Sequence, residues 1–512
     1  MPLGKTLRVR ATRSGMGAHL KMGNAYMQQN KYAEALQEFQ AIVRQNPNVT
    51  PAYLRIGDVH LAEGRIEEAR AAYLRARKLS PNLPACHLKL GNLYAAEGKA
   101  TEAAAAYQQA LRLDPRLAIA HLRLGVLYLE QRRYPDALTA FQQALALNPQ
   151  LLLARLRMGD VYVEQEDYAA AIEKYQEVLR FDPTLAAAHV KIGDVYFRQH
   201  QFGEALEHYQ KALSIGPDLA LAHIRVGDVA LEGGQYEEAI ARYEHALVLN
   251  PKRKLAFAAN LKLGSVRLKL KQLPEAIAAI EAALKLRDDV PAVHLKLGSA
   301  YMEQGRYADA LTAYESAARL RPDSAQAHLK RGTALLALKR HPEARRAFEE
   351  ALRWDTELPA VHLKLGELAV AEGHFEKAVD AFNTALRLNP KLSQAHLGLA
   401  DIYFGRQQYD EAMGEYRVAV RGQAKNPHVH VRLGDLFLMR GQLGEARAEY
   451  QAAVLLDAGN ARGHLGLGKV HRAEGTLAEA AVALRKALEL DPTLGEAREV
   501  LSLLESSPQG RE

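Results

Sequence analysis

The sequence predicts an all-α fold, a right-handed α-solenoid of fourteen tandem helix-turn-helix hairpins that ends in a C-terminal capping helix. Three observations predict it. Alanine, leucine, glutamate, arginine and glutamine, which favour helix, dominate the 512 residues. One spacing of glycine, alanine, aromatic residues and proline returns every 34 residues, the period of a repeated helical hairpin. Fourteen such repeats leave only 36 residues outside them.

Each repeat is marked by a small residue, whose place we call the repeat glycine position. Its fourteen members are Gly23, Gly57, Gly91, Gly125, Gly159, Gly193, Gly227, Gly264, Gly298, Gly332, Gly366, Ala400, Gly434 and Gly468. Alanine follows twelve residues later in all fourteen repeats, an aromatic residue sixteen later in twelve, and proline twenty-four later in ten. Small residues let two helices approach closely, and the aromatic ring fills the remaining gap.

Two further positions predict where each helix ends. Glycine recurs seven residues after the repeat glycine position in seven repeats, where a helix C-terminus needs a left-handed residue. Proline then closes the second helix, because the residue before it is pushed out of helical geometry. Each hairpin leaves an apolar face that only the next hairpin covers, so the repeats are expected to stack.

With these spacings the sequence resembles the tetratricopeptide repeat family over residues 16–494. The resemblance implies an open superhelix whose first helices line a concave groove, where the ligands of the family usually lie. It also implies a capping helix, which we assign to Leu494–Glu505 from its apolar Leu494, Ala497, Leu501 and Leu504. In the family members that clamp a chaperone carboxylate, a lysine stands three residues before the glycine. That place is apolar here, so this type of recognition is not expected.

The predicted organisation has five segments. They are a basic, disordered arm 1–15, repeats one to seven 16–253, an insertion 254–256, repeats eight to fourteen 257–494, and a capping helix with tail 495–512. The arm carries Lys5, Arg8, Arg10 and Arg13 without an acid, and we expect it to be dispensable for folding.

The insertion is visible as a spacing of 37 residues between Gly227 and Gly264, against 34 elsewhere. Three residues are a little under one helical turn, so the first helix of the eighth hairpin is expected to begin one turn early. That hairpin also lacks the usual aromatic residue and proline, having Ile280 and Asp288 at those places. We expect two blocks of repeats that bend against each other at this joint.

A histidine occurs four residues before the repeat glycine position in most repeats. The eleven histidines are His19, His87, His121, His189, His223, His294, His328, His362, His396, His430 and His464. A metal site or a pH sensor is one interpretation. The other is a flat, half-buried ring that packs between hairpins. Parallel rings spaced by one helix would not converge on a metal ion, which favours packing.

A second series two residues before the repeat glycine position is basic in twelve of fourteen repeats, and asparagine, aspartate or glutamate follows the repeat glycine position directly in nine. Because the resemblance places this face in the groove, we predict a partner-binding site there. Its residues are Arg123, Arg157, Asp160, Lys191, Asp194, Arg225, Asp228, Lys296, Lys330 and Lys364. A solvated surface whose charges pair with one another is the alternative. The flanking apolar residues, such as Val163 and Phe197, are either exposed to a partner or part of the core.

The sequence contains no nucleophile elbow, phosphate loop or metal motif, so we expect no catalysis, cofactor, metal or small-molecule substrate. Its one cysteine, Cys86, excludes an internal disulfide framework. No run approaches the roughly 18 apolar residues of a membrane helix, and no apolar segment follows the basic N-terminus. A cytoplasmic protein with at most peripheral membrane contact is expected.

These observations predict a scaffold or adaptor that binds one or more proteins, or extended segments of them, in its groove and supports the assembly of a multiprotein complex. The alternative is a nucleic-acid-binding repeat protein that uses the basic series and the arm. The alternative is disfavoured because acids beside the basic residues cancel their field, and because few aromatic residues lie between them.

Overall fold

The computed structural model describes residues 3–422 and 425–506, with the backbone alone described for residues 3–14 and for Ser506. Within these ranges the chain forms α-helices joined by short turns, and no strand. The chain divides into two compact units, Met1–Leu255 and Ala256–Glu512. The boundary falls in the stretch that the sequence assigned to the insertion. None of the described helices is apolar over a length that would span a lipid bilayer.

The first unit holds seven hairpins. Its helices are α1 Leu3–Gln28, α2 Tyr32–Gln45, α3 Thr50–Ala62, α4 Ile66–Leu79, α5 Pro84–Ala96, α6 Ala100–Leu113, α7 Ala118–Glu130, α8 Tyr134–Leu147, α9 Leu152–Glu164, α10 Tyr168–Phe181, α11 Ala186–Arg198, α12 Phe202–Ile215, α13 Ala220–Glu232 and α14 Tyr236–Val248. Each odd-numbered helix packs against the helix that follows it and, within the unit, against the one before it.

The second unit repeats this arrangement and adds one helix. Its helices are α15 Arg253–Lys269, α16 Leu273–Leu286, α17 Pro291–Glu303, α18 Tyr307–Leu320, α19 Ala325–Ala337, α20 His341–Trp354, α21 Pro359–Ala371, α22 Phe375–Leu388, α23 Ser393–Gly405, α24 Tyr409–Gly422, α25 Pro427–Met439, α26 Leu443–Leu456, α27 Ala461–Glu474, α28 Leu477–Leu490 and α29 Gly495–Ser506. The helix α15 begins eleven residues before its glycine, whereas α3 begins seven before Gly57, which confirms the early start.

The core of each hairpin is the contact between the repeat glycine and the aromatic ring sixteen residues later. A Cβ atom on Gly227 would lie 2.7 Å from the Cε1 atom of Tyr243, so the ring occupies the space that any larger residue would need. Tyr243 is fully buried, and so is Ala239, which lies twelve residues after the glycine. The predicted pairing of small and aromatic residues is therefore confirmed as the way the two helices meet.

The turn between the two helices of a hairpin uses a left-handed residue, as predicted. All seven glycines at this place have φ between 72° and 80°. The other seven repeats keep the conformation without glycine, and their residues are Asn30, Arg132, Glu166, His200, Lys271, Lys339 and Gln407. The geometry of the hairpin, rather than the residue, therefore imposes the positive φ.

The predicted capping helix is confirmed as α29. Its Ala497, Val500 and Leu504 are buried against the last hairpin, in a cluster with Leu465 and Leu484. Residues 507–512 of the predicted tail lie outside the described residues.

At the other end of the chain, α1 begins at Leu3 and so includes most of the segment predicted to be a disordered arm. Residues 1 and 2 and the four basic side chains of that segment lie outside the description. Its dispensability for folding stays a prediction, and so does bending between the two blocks of repeats.

Candidate functional site

We call the ladder face the surface formed on the first helices by the residue two before and the residue one after the repeat glycine position. Asp160 on α9 shows how it is built. The hydroxyl of Tyr175 donates to its Oδ1 atom over 2.8 Å, and Arg157 Nη1 lies 2.9 Å from its Oδ2. Lys191 Nζ, from the next hairpin, lies 2.9 Å from Oδ1. One carboxylate therefore joins the two helices of its own hairpin and the neighbouring hairpin.

The same pattern continues along the first unit. Asp58 accepts from Tyr73 over 2.7 Å and pairs with Lys89 of the next hairpin over 2.7 Å. Arg225 bridges two acids, Asp194 at 2.7 Å and Asp228 at 3.2 Å. The sequence predicted pairs three residues apart on one helix, and the structure adds pairs to the acid of the preceding hairpin. The charge pairing that the alternative expected is therefore present in this unit, and partner binding there stays a prediction.

The tyrosine hydroxyl is the functional group that the sequence reasoning missed. It donates to the residue after the repeat glycine in repeats of both units, and the pairs are Tyr73–Asp58, Tyr107–Asn92, Tyr175–Asp160, Tyr209–Asp194, Tyr243–Asp228, Tyr416–Asp401 and Tyr450–Asp435. A signal was present, because aspartate occurs at that place only in repeats whose ring is tyrosine; a phenylalanine repeat has Val126 there. Burial, together with the adjacent carboxylate, raises the pKa of the Tyr175 phenol, so this hydroxyl stays a donor.

Two acids of the ladder face in the first unit are less exposed than the cations near them. The side chains of Arg157, Lys191 and Arg225 are 40%, 41% and 33% exposed. Asp160 and Asp228 are only 14% and 7% exposed. In these repeats the two acids are therefore more deeply buried than the cations near them.

A pocket of about 470 Å³ in the first unit brings together four of the predicted site residues, Asp160, Lys191, Asp194 and Arg225. Its apolar lining comes from residues four after the repeat glycine position, namely Leu129, Val163 and Phe197. These side chains are half-buried, as are Leu231, Met302, Phe404 and Leu438 at the same place in other repeats. The open question about the flanking apolar residues therefore has two answers. Those four after the glycine stay partly exposed. Of the leucines three before it, Leu122 and Leu363 are core, whereas Leu88, Leu156 and Leu295 are half-buried.

The remaining predicted residues are not part of this pocket. Arg123 is exposed, and no carboxylate among the described residues lies within ion-pair distance of it. Lys364 pairs with Glu367 on its own helix at 2.7 Å. Lys296 and Lys330 contact serine hydroxyls instead of acids, over 2.7 and 3.2 Å. The ten residues therefore include charge pairs in both units, one exposed arginine in the first unit with no carboxylate partner among the described residues, and two lysines on serine hydroxyls in the second.

Most histidines of the series bind the loop that precedes their own helix. The Nε2 atom of His87 lies 2.8 Å from the carbonyl oxygen of Pro81, six residues earlier, and His223 and His328 make the same contact with Pro217 and Pro322 at 2.8 Å. Because a carbonyl only accepts, each ring donates here and ties its helix to the preceding loop. Among the described residues, no three histidine, cysteine, aspartate or glutamate side chains form a cluster that could hold a metal ion.

The sixth repeat differs, because two histidines face each other. The Nδ1 atoms of His189 and His208 lie 3.2 Å apart, where other repeats pair a histidine with glutamate, as in His396–Glu415 at 2.5 Å. Burial lowers the pKa of His189 and His208 below the usual 6.5, and Lys211 adds repulsion to both. Since the folded pKa lies below the unfolded value, the unfolded chain binds more protons as the pH falls. This contribution to stability is therefore complete above about pH 6.5 and is lost below it.

We expect the variant His208→Glu to be less acid-sensitive than the wild type, because it restores the histidine–glutamate pair of other repeats. The measurement is amide hydrogen exchange in α11 and α12 between about pH 7.5 and 5.5, corrected for the intrinsic pH dependence of exchange. Protection in the wild type should fall with acid, and the variant should retain more of it. Equal loss in both proteins would contradict this account.

Sequence profiles of the tetratricopeptide repeat match residues 20–84, 88–151, 226–291, 295–359, 363–427 and 431–494, and related repeat profiles match 159–200 and 184–249. No curated protein matches the sequence.

Among solved structures, yeast Tom70 is 16% identical, with a TM-score of 0.39 over 82% of this chain and 95% of that one. A tetratricopeptide repeat protein from Parabacteroides merdae is 20% identical, with a TM-score of 0.37 over 49% and 98%. The APC/C hetero-tetramer Cut9–Hcn1 is similar at 14% identity, with a TM-score of 0.38 and 96% of each chain covered. The family profiles cover well over half of the residues, and the chain belongs to the tetratricopeptide repeat family.

Proposed function

We propose that this protein is a non-catalytic scaffold that binds extended segments of partner proteins along its ladder face and so supports the assembly of a multiprotein complex. The observation that carries the proposal is the pocket of about 470 Å³ in the first unit. It combines the partly exposed cations Lys191 and Arg225 with the partly exposed side chains of Val163 and Phe197. Such a surface suits a polypeptide, which offers backbone carbonyl acceptors and apolar side chains at short intervals.

The charge pairs support a protein partner over a nucleic acid. Binding to a phosphate backbone depends on cations that are free to replace its counterions. Here Asp160 and Asp194 already neutralise Lys191 and Arg225, at 2.9 and 2.7 Å. A polypeptide needs no such excess of positive charge, because the arginine and lysine donors that are not used by the acids remain available to its carbonyl groups.

The test removes the donors without reversing their charge. Glutamate in place of Arg225 would stand between Asp194 and Asp228 and disturb the hairpins themselves, so the variant is Arg157→Gln, Lys191→Gln and Arg225→Gln. We expect it to retain partner proteins at least about tenfold less than the wild type, a loss of about 1.4 kcal/mol. Tagged full-length protein and quantitative mass spectrometry of the retained proteins measure this.

A matched control carries the same loss of three charges on another face. Arg44, Arg112 and Arg180 lie in the last turns of α2, α6 and α10 and are exposed. The variant with glutamine at these three positions should retain the same partners as the wild type. If both variants lose partners equally, net charge rather than the ladder face governs retention. If neither loses them, the binding site lies elsewhere.

A further inference from the structure

In the second unit the residue after the repeat glycine changes from an acid to a hydroxyl over three successive repeats, Ser265, Ser299 and Thr333. The lysines of the ladder face follow this change. Lys296 Nζ donates to Ser265 Oγ over 2.7 Å, and Lys330 Nζ donates to Ser299 Oγ over 3.2 Å. Among the described residues, no carboxylate lies within 4.0 Å of either ammonium group. The matching lysine of the first unit, Lys191, rests on Asp160.

The serine partners leave the positive charge of the lysines unbalanced. Ser265 uses its proton to donate to the carbonyl of Leu261 over 2.7 Å, and Ser299 donates to the carbonyl of Leu295 over 2.9 Å. Each serine therefore offers the lysine one neutral lone pair and no charge. Each ammonium group has three protons, and an anion would complete their hydrogen bonds.

The burial of these lysines adds a desolvation free energy that a bound anion would offset. Both are half-buried, and desolvation lowers the pKa of Lys296 and of Lys330, with no charged neighbour acting against it. Lys330 Nζ also lies 5.8 Å from the centre of the Tyr314 ring, a weak compensation. A partly desolvated cation gains more from a carboxylate than an exposed one, because water screens the pair less.

A pocket of about 370 Å³ lies directly over Lys330. It is lined by Ser299, Thr333, and the apolar side chains of Met302 and Leu329. Lys364 also borders it, although this cation is already paired with Glu367 at 2.7 Å. The pocket therefore offers one unneutralised cation beside an apolar floor.

We propose that Lys296 and Lys330 receive acidic side chains of an extended partner segment, with an apolar residue of that segment in the pocket beside Met302 and Leu329. This inference rests on the proposed function and names the chemistry of the partner at this part of the ladder face. Charge complementarity is the reason for proposing an acidic segment at these two lysines. In the first unit Lys191 already has the carboxylate of Asp160, whereas these two lysines have none among the described residues and take theirs from the bound segment.

The test uses a display library of random twelve-residue peptides selected on the full-length protein. The chosen variant is Lys296→Gln with Lys330→Gln. Glutamine keeps a donor for each serine, so the fold is expected to survive, which circular dichroism checks. The matched control is Lys285→Gln with Lys377→Gln, which removes two exposed lysines of the same unit from second helices, away from the ladder face. Isothermal titration of the selected peptides measures affinity for all three proteins.

We expect the selected peptides to be enriched in aspartate and glutamate next to an apolar residue. Their affinity should fall at least about tenfold on the Lys296/Lys330 variant and stay within about twofold on the control. Peptides that bind without acidic enrichment, or bind the variant unchanged, would overturn this inference and leave the scaffold proposal standing. A library that yields no binder on the wild-type protein would overturn both.

Discussion

Replacing Tyr175 with alanine should lower the stability of the fifth hairpin by about 3–5 kcal/mol, the usual cost of removing a large buried aromatic side chain. The ring is 1% exposed and fills the space left by Gly159, while its hydroxyl donates to Asp160 over 2.8 Å. Truncation opens a cavity between α9 and α10 and removes one of the contacts of a carboxylate that also binds Lys191. Because a stack of repeats gains stability from each interface with its neighbours, the loss should extend to the adjacent hairpins.

Amide hydrogen exchange, followed helix by helix, measures this effect. The variant Tyr175→Phe is the matched control, since it keeps the ring and removes only the hydrogen bond. It should cost about 1.5 kcal/mol, the value of a hydrogen bond to a charged group. If the phenylalanine and alanine variants open equally fast, the hydroxyl rather than the ring holds the hairpin together. If neither differs from wild type, the ring does not form the core of the repeat.

The second large effect is a glycine-to-alanine substitution that is expected to lower stability instead of raising it. Glycine to alanine inside a helix ordinarily stabilises a protein by about 0.5–1 kcal/mol. At Gly466 in α27 we expect the opposite, a loss of about 1–3 kcal/mol from overpacking. A Cβ atom there would lie within 3.0 Å of three ring atoms of Tyr450, and the same ring is confined on another side by Gly434. The ring is fully buried and has no open space to move into.

The control for this prediction is Gly414→Ala in α24 of the same unit. Gly414 is exposed, and nothing lies within 4 Å of a Cβ atom placed on it. This variant should therefore gain the ordinary 0.5–1 kcal/mol or so of helix propensity. Thermal unfolding of the full chain should shift in opposite directions for the two variants. A stabilising Gly466→Ala would show that the ring relaxes at little cost.

The basic series is interrupted at two repeats. Gly398 and Gly466 stand where the other repeats carry lysine or arginine. A Cβ atom at Gly398 would lie 2.6 Å from Cζ of Phe382, as one at Gly466 would meet Tyr450. At these two places the aromatic ring of the preceding hairpin takes the room that a side chain would occupy. The sequence showed the gap in the series, and the structure shows that a ring of the preceding hairpin fills it.

The sequence by itself determined the hairpin, its period and its cap. These follow from local patterns, in which a glycine and an aromatic residue sixteen apart, such as Gly159 and Tyr175, specify their own contact. The tertiary structure alone decided which groups meet between hairpins. Lys191 pairs with Asp160, 31 residues earlier, because stacking brings the first helices of two hairpins together. No local sequence pattern specifies this contact. Likewise Glu166 adopts a left-handed φ of 62° because the packed helices demand the turn. The contacts within a hairpin depend on residue spacing along the chain, which the sequence shows directly. The charge pairs between hairpins depend on which residues the stacking of hairpins brings together.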